Sequence, residues 1–597
     1  MKIITPEEFG AAGITGVFPR YFVQLWLERL DYTTPLGHQA RHMTPCSLLE
    51  EIADLAGQAK EGMQVSGYLR AAAEEVVDPG SGVIACDPLL QECMPDELYL
   101  IGPLLRRLAS GKGLGAKLEV LQDTARLGME KLRTTYSALA AERILEALRA
   151  DDAHETERGL RSLTGLVDGL VSHLLGEGHS PDVLFGRHKL LWLIPKGSLD
   201  ERLEYFMGIA RFHDLPHTVV FQLDLPDERM VTTVLQHRDP MQFGISVNRE
   251  CTFSGHVPAH IRVKIDEFCK GHPTRLWLTC LVEHARDEFS AAIEAKELVR
   301  QWLLALGVRA ECRGIPEPKS YCLVTQKEGP QHTRVVGFDE SARLGLDPSR
   351  SPRAAAVLAE VIGKGDFWSR EQALFRYLEA AREPELERSF DLYWRSLELL
   401  CRGDIGRAII DRVVSVAAKP MALRSLSRTI SFVILQLQQL HGDEVRAGPG
   451  VTLSTVPLSP PQQLQWALAL ADRQKAETVY DVCEGYERTR MHVLDAHNLC
   501  RSQKAIAGRL EVSRKRVEWQ LRRIYRHRNM MVHEGHARKS LERLHHHLRW
   551  YVHELFQQIA ADQNCLEERY LAVENHRYDT VLDDLKRGGC DLQQLFR

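Results

Sequence analysis

The spacing of apolar residues divides the chain into a helical first part, a mixed middle part and a helical last part. Over most of residues 20–180, apolar positions recur every three to four residues, the period of an amphipathic helix. From about residue 185 the pattern changes to short apolar runs typical of strands. Five runs are predicted as strands: residues 189–195, 217–225, 243–248, 275–282 and 321–326. A helix is predicted over residues 286–306, which makes this middle part α/β or α+β.

After about residue 340 the pattern is helical again. Residues 339–353 are rich in Ser, Arg, Gly and Pro, which predicts a linker. The fold class expected is therefore a multidomain, mainly α protein. The predicted divisions are a helical N-terminal domain at 1–183, an α/β middle domain at 184–340, a linker at 341–365, a helical bundle at 366–562 and a helical C-terminal tail at 563–597.

Composition narrows the function classes only a little. A net charge of −5 over 597 residues argues against nonspecific coating of nucleic acid, although a local basic site remains compatible with it. The 13 cysteines are scattered singly, so neither a zinc site nor a disulfide framework is expected, and no metal or cofactor is predicted. Without an apolar leader or a spanning run, we expect a cytoplasmic protein that does not enter a membrane.

The most distinctive stretch, residues 513–535, is predicted to be one helix. Ser513 is a good residue to begin it and Gly535 a good residue to end it. Its apolar stripe consists of Val517, Leu521, Ile524 and Met531, with Tyr525 and Val532 at the margin. Arg528 falls within this stripe, and a buried guanidinium needs an anion, either a carboxylate or a phosphate.

Two further polar residues follow Arg528 on the same predicted helix. Asn529 and His533 are four positions apart and share a face, so the Asn amide could orient the imidazole. His533 lies in the last predicted turn, where the helix dipole favours the imidazolium and tends to raise its pKa. This position suits a proton-transfer group.

The six residues from Arg528 to His533, Arg-Asn-Met-Met-Val-His, resemble the Arg-x4-His signature of HEPN domains, helical domains many of whose members are metal-independent ribonucleases. Arg522 and His527 form a second Arg-x4-His, but they are predicted to be surface residues. We prefer the Arg528 register because it combines the Asn, the apolar surroundings of the Arg and the helix end. Trp394-Arg-Ser-Leu-Glu398, with Phe390 before it, is similar to the opening helix of Apea-like HEPN domains.

This resemblance implies a bundle in which Glu398 lies opposite Arg528 and orients it as a charge-assisted pair. It also implies RNA cleavage by attack of the ribose 2′-hydroxyl. His533 would be the general acid or base, Arg528 would neutralise the phosphate, and Asn529 would position the imidazole or a phosphate oxygen. The basic residues Arg522, Arg526 and His527 are candidates for RNA contacts.

HEPN nucleases commonly pair two signatures, so the resemblance also implies a homodimer or an internal pairing. Because this chain has one convincing signature, we expect a homodimer. The resemblance further suggests a regulated toxin or antiphage effector whose first two-thirds senses a trigger, with a phage or cognate regulatory protein as a possible partner.

Other interpretations compete with cleavage. Residues 502–513 followed by a basic segment have the spacing of a helix-turn-helix, which would make the protein a DNA-binding regulator. A HEPN-like domain that binds RNA or nucleotide without cutting is a third interpretation, and Arg528 could also be a structural residue satisfied by a carboxylate.

Overall fold

A computed structural model describes most of the chain. The described residues are 4–31, 43–149, 156–193, 197–211, 215–236, 244–251, 262–309, 318–327, 333–337, 368–383, 385–401, 408–448, 451–455, 459–534, 541–561 and 570–596. Two compact units are present: residues 1–173 together with 348–597, and residues 174–347. The N-terminal and C-terminal helices, predicted as separate domains, thus belong to one unit.

The N-terminal part of the first unit is helical. Its helices are α1 (Pro6–Ala11), α2 (Val17–Leu30), α3 (Pro45–Lys60), α4 (Ser66–Val77), α5 (Val83–Cys86), α6 (Leu90–Cys93), α7 (Pro95–Ala109), α8 (Lys117–Arg149) and α9 (Thr156–Gly176), the last turn of which enters the second unit. Thr5 and Thr44 cap α1 and α3, each followed by proline in the first turn, where no N–H partner is needed.

The second unit contains a five-stranded antiparallel sheet. Its helices are α10 (Pro181–Gly186), α11 (Leu190–Leu193), α12 (Leu199–Met207), α13 (Glu228–Gln236), α14 (Arg262–Phe268) and α15 (Glu288–Arg309). Its strands are β1 (Leu215–Asp224), β2 (Ile245–Asn248), β3 (Arg275–Ala285), β4 (Tyr321–Gln326) and β5 (Thr333–Gly337). The strand order is β2-β3-β1-β4-β5. Val219 and Phe221 face one apolar cluster with α15, whereas Val220 faces a smaller one with α14.

The C-terminal part completes the first unit. It comprises α16 (Trp368–Arg382), α17 (Leu386–Leu400), α18 (Ile409–His441), the hairpin β6 (Glu444–Gly448) and β7 (Val451–Ser454), α19 (Pro460–Ala471), α20 (Arg473–Val482), α21 (Glu487–Cys500), α22 (Gln503–Glu534), α23 (Leu541–Ala561) and α24 (Tyr570–Arg587). Phe390, Trp394 and Leu397 are each fully buried, which confirms the predicted apolar face of α17.

Pro420 lies inside α18 without ending it. Proline has no N–H, so the carbonyl of Val416 loses its normal helical donor. The side-chain amide of Asn575, on α24, donates to that carbonyl over 3.3 Å. The two helices predicted over residues 413–418 and 422–440 are therefore one helix, because a neighbouring helix supplies the missing hydrogen bond.

A buried carboxylate joins α2 to α21. Glu28 is fully buried, and its two oxygens accept from Nη2 and Nε of Arg488 at 2.8 and 3.0 Å. His492 Nε2 lies 2.7 Å from Glu28, and Arg29 donates to it at 2.9 Å. Burial acts to raise the pKa of Glu28, but Arg488 and His492 outweigh it and hold that pKa well below its ordinary value. Glu28 is thus ionised and is held by Arg488, Arg29 and His492.

The protein is mainly helical with small antiparallel sheets, as the apolar spacing predicts. Residues 189–195 are predicted as a strand, but the described part of this run, residues 189–193, instead forms the end of a 3₁₀ turn and the short helix α11. A short apolar run does not distinguish a strand from a buried helix, which explains the error. Strand β5 and helix α21 were not predicted. None of the helices in the described parts of the chain carries an apolar run of membrane-spanning length.

Replacing Glu28 with Gln should strongly destabilise the first unit. The substitution leaves the buried Arg488 guanidinium without its countercharge, which typically costs about 3–5 kcal/mol. Glu477→Gln is the matched control, since Glu477 pairs with the exposed Arg473 on the surface and should change stability by under about 1 kcal/mol. Chemical denaturation of the full chain measures both; equal effects would contradict the assigned role of Glu28.

His545 should make stability depend on pH. It is 4 % exposed and hydrogen-bonds Ser389 Oγ at 2.8 Å; burial, assisted by Arg549, lowers its pKa to about 4. An unfolded imidazole, with a pKa near 6.5, binds a proton between these values while the folded one does not. Stability present above pH 6.5 should therefore fall by about 3 kcal/mol as the pH approaches 4.

His545→Gln should remove this part of the pH dependence in denaturant titrations, and the exposed His576→Gln should leave it unchanged. A wild-type slope that persists in His545→Gln would show that other groups cause it.

Candidate functional site

The stretch that carries the predicted signature belongs to a longer helix than expected. Helix α22 runs unbroken for 32 residues, and Ser502, not Ser513, caps its start by accepting from the backbone N–H of Ala505. Because no turn interrupts the helix near residue 513, the helix-turn-helix interpretation loses its geometric basis.

Apolar contacts fix α22 against the opening helix of the bundle. Val517, Leu521 and Ile524 are buried in the core that also contains Phe390 and Trp394 of α17, which confirms the predicted stripe. Met531 and Tyr525 pack partly buried against the same core, and Val532 is 52 % exposed. The rings of Trp394 and Tyr525 lie 5.2 Å apart. This packing brings the last turns of α22 beside α17.

Arg528 sits at that junction and is held on two sides. Its Nε donates to Asp391 Oδ1 at 3.1 Å, and its Nη1 donates to Asn529 Oδ1 at 3.3 Å. The side chain keeps 23 % of its surface exposed, so it lies at the edge of the core rather than within it. Among the described side chains, Nη2 has no partner. The guanidinium therefore presents an oriented, solvent-accessible edge.

The carboxylate at Arg528 is Asp391 rather than the predicted Glu398. Glu398 lies 3.9 Å from Arg412 instead. The two acidic residues are seven positions apart, so they share one stripe of α17 but differ by about 10 Å along its axis. The predicted partner of Arg528 was therefore on the correct helix and face, but about two helical turns from the observed partner.

Asp391 also binds a second arginine that the sequence analysis did not single out. Arg395 Nε lies 2.6 Å from Asp391 Oδ2, and the Arg395 side chain is 52 % exposed. Arg388, one turn earlier on the same stripe, is 65 % exposed and pairs with Glu383. The i, i+3, i+7 spacing of Arg388, Asp391 and Arg395 is the signal that could have revealed this basic edge of α17.

The three predicted RNA contacts are placed differently from expectation. Arg526 is 5 % exposed and pairs with Glu51 of α3. His527 is 7 % exposed, so the prediction that it is a surface residue is wrong. Arg522 is partly exposed and donates to Asp411 at 3.0 Å. Of the three, only Arg522 has a substantially accessible side chain.

Neighbouring Arg523 shows why this face of α22 is covered. It donates to Glu51 of α3 at 2.8 Å and to Glu75 of α4 at 2.5 Å. Burial acts to raise the pKa of Glu51, but Arg523 and Arg526 outweigh it and lower that pKa; for Glu75, burial wins and its pKa is raised. The N-terminal helices thus contact α22 five residues before Arg528.

His533 lies in the last turn of α22, and its side chain is outside the described residues, as is the predicted helix-ending Gly535. The predicted hydrogen-bonding of Asn529 to His533 therefore stays a prediction. Within the described parts of the chain, no group of three or more His, Cys, Asp or Glu residues is placed to hold a metal ion.

The site consists of an oriented guanidinium with one open edge, an amide beside it, and exposed arginines on the adjacent helix. An arginine held by a carboxylate presents its remaining N–H groups in a fixed plane, which suits a phosphate or another planar anion. Such a site can bind and polarise a phosphodiester; proton transfer needs a further group such as His533.

Comparison with protein-family models, curated proteins and solved structures gave no match for this chain.

Asp391 and Arg528 should show energetic coupling, whereas Glu398 and Arg528 should not. In a double-mutant cycle, Asp391→Asn with Arg528→Gln should give a coupling energy of about 0.5–1 kcal/mol, since the pair is partly exposed. The parallel cycle with Glu398→Gln should give a value near zero. Denaturation of the five variants (three single and two double) and the wild type measures both, and the reverse order would contradict the observed pairing.

Proposed function

We propose that the protein is a metal-independent endoribonuclease of the HEPN type, with its active site at the end of α22. The observation that carries the proposal is the fixed geometry of Arg528, whose guanidinium is oriented by Asp391 and Asn529 and keeps one edge open, five positions before His533. The resemblance of residues 528–533 to the HEPN signature supports the same assignment.

The proposed reaction is an intramolecular transesterification of RNA. The ribose 2′-oxygen forms a bond to the adjacent phosphorus while the bond from phosphorus to the 5′-oxygen breaks. The 2′-hydroxyl proton is removed by a base, and a proton is delivered to the leaving 5′-oxygen. The products are a 2′,3′-cyclic phosphate and a 5′-hydroxyl. His533 serves as one of these proton carriers, and Arg528 stabilises the extra negative charge on the phosphate.

Two proton carriers serve this reaction better than one. We propose that a homodimer brings two copies of the signature to one cleft, as in related HEPN nucleases, so that each His533 performs one transfer. Arg395 and Arg388 on α17 are accessible and would contact RNA phosphates near Arg528, a more suitable role for them than for the buried Arg526 and His527.

The N-terminal helices and the sheet-containing unit would regulate the nuclease. The contacts of Arg523 with Glu51 and Glu75 support this role, because a rearrangement of α3 or α4 would disturb α22 close to Arg528. By analogy with HEPN proteins, the biological role proposed is that of a regulated cytoplasmic toxin or antiphage effector, triggered by a phage or cognate regulatory protein.

A second candidate is an RNA-binding HEPN-like domain that does not cleave. The existing neutralisation of Arg528 by Asp391 favours it, since a paired guanidinium carries less uncompensated charge toward a phosphate. The two candidates differ in chemistry and not in location.

His533→Ala and Arg528→Gln should each abolish cleavage of total RNA in the presence of EDTA and relieve any growth arrest caused by expression. Loss of a general acid or base lowers such rates by about 10²–10⁴-fold. The wild-type products should carry 2′,3′-cyclic phosphate ends, so a ligase that needs a 3′-hydroxyl should join an adapter to them only after the phosphate has been removed enzymatically.

His576→Ala, an exposed histidine on α24, is the matched control and should cleave like the wild type. Undiminished cleavage by His533→Ala would reject its catalytic role, and cleavage that EDTA abolishes would reject the metal-independent mechanism. RNA binding by the wild type without any cleavage would favour the second candidate.

A further inference from the structure

A cavity of about 500 Å³ lies within the first unit, away from Arg528. Six helices contribute to its wall: α2, α9, α18, α21, α22 and α23. The volume falls in the range of small-molecule sites in proteins. Its lining has an unusual charge, since six arginines face it: Arg29, Arg161, Arg428, Arg488, Arg509 and Arg516.

Three of these arginines are balanced by carboxylates. Arg29 pairs with Asp168 at 2.5 Å, Arg161 pairs with Asp495 at 2.8 Å, and Arg488 pairs with Glu28 at 2.8 Å. They form one side of the cavity, where α2, α9 and α21 meet. Their charges are satisfied within the protein, so this side can hold the structure together without a ligand.

The opposite side, formed by α18 and α22, is not balanced in this way. Arg509 and Arg516 have no ion-pair or hydrogen-bond partner among the described side chains, and the buried Nε of Arg509 lacks an acceptor. Arg428 has Glu554 at 3.5 Å, but its buried Nη1 makes no hydrogen bond. Ser425, only 4 % exposed, also has an unpartnered hydroxyl.

These unpaired polar groups destabilise the protein when the cavity holds no ligand. A desolvated guanidinium without an anion is destabilising, and Arg does not relieve the cost by losing its proton at neutral pH. Burial, together with repulsion from Arg516 and Arg428, lowers the pKa of Arg509 to about 10. Arg509 and Arg516 have no carboxylate within ion-pair distance among the described side chains, and such guanidinium groups suit an anion with several oxygens.

Aromatic side chains lie beside this cationic side. Trp550 lines the cavity with the Arg428 guanidinium 4.9 Å above its ring, and Phe432, Tyr551 and Tyr21 line it as well. Flat apolar walls next to anion-binding groups match a molecule that has phosphates at one end and a planar ring at the other.

We propose that this cavity binds a nucleotide, with Arg428, Arg509 and Arg516 contacting its phosphates and Trp550 and Phe432 contacting its base. The site is separate from the proposed nuclease centre: Arg516 and Arg528 are twelve positions apart on α22, about 18 Å along the axis. Its existence does not rest on the proposed function, and binding is measured without RNA.

The test is thermal unfolding and titration calorimetry of the full chain with ATP, GTP, CTP, UTP, their monophosphates and inorganic pyrophosphate. At least one nucleotide should raise the unfolding midpoint and do so more than pyrophosphate. Arg509→Gln should weaken that binding at least about tenfold, because charge-assisted contacts to phosphate are lost. Without nucleotide, the same variant should unfold no earlier than the wild type, since a desolvated charge is removed.

Arg587→Gln, which alters an exposed arginine at the end of α24, should bind nucleotide like the wild type. The proposal is overturned if no nucleotide stabilises the protein, or if pyrophosphate accounts for the whole effect. It is also overturned if Arg509→Gln binds as tightly as the wild type, or if a short RNA oligonucleotide displaces the nucleotide and binds more tightly, which would assign the cavity to RNA.

Discussion

The first unit depends on carboxylates of the N-terminal helices that are buried against arginines of the C-terminal helices. Glu28 on α2 meets Arg488 on α21, and Glu51 and Glu75 on α3 and α4 meet Arg523 on α22. Each partner is buried, so neither charge tolerates the loss of the other. Segments more than four hundred residues apart are thereby held in one register, which apolar packing alone would specify less strictly.

Because these ion pairs fix the position of α22, this one helix contributes to several features of the first unit. Its apolar stripe packs on α17, its middle arginines engage α3 and α4, its first half lines the cationic cavity, and its end carries Arg528. A continuous helix transmits displacement along its length, whereas a helix broken near residue 513 would separate these regions. The cavity and the Arg528 site are thus linked by one rigid element.

The local spacing of apolar residues predicted much of the fold. The features that it did not predict depend on ion pairs between residues far apart in sequence. The stripe of Val517, Leu521 and Ile524 follows from spacing alone. The carboxylate that pairs with Arg528 does not follow from spacing, because Asp391 and Glu398 share one face of α17. Which of them meets Arg528 depends on the axial offset between α17 and α22. Likewise, the burial of Arg526 and His527 follows from contacts with α3, for which a sequence pattern within α22 gives no signal.

The order in which the ribosome makes the chain gives the Glu28 contact a further consequence. Glu28 emerges early, whereas Arg488 is synthesised 460 residues later, after the whole sheet-containing unit. At bacterial or eukaryotic elongation rates this delay is roughly 20–90 s. During that time Glu28 has Arg29, its neighbour in sequence, as a partner but lacks Arg488 and His492, so the first unit cannot close before translation is nearly complete.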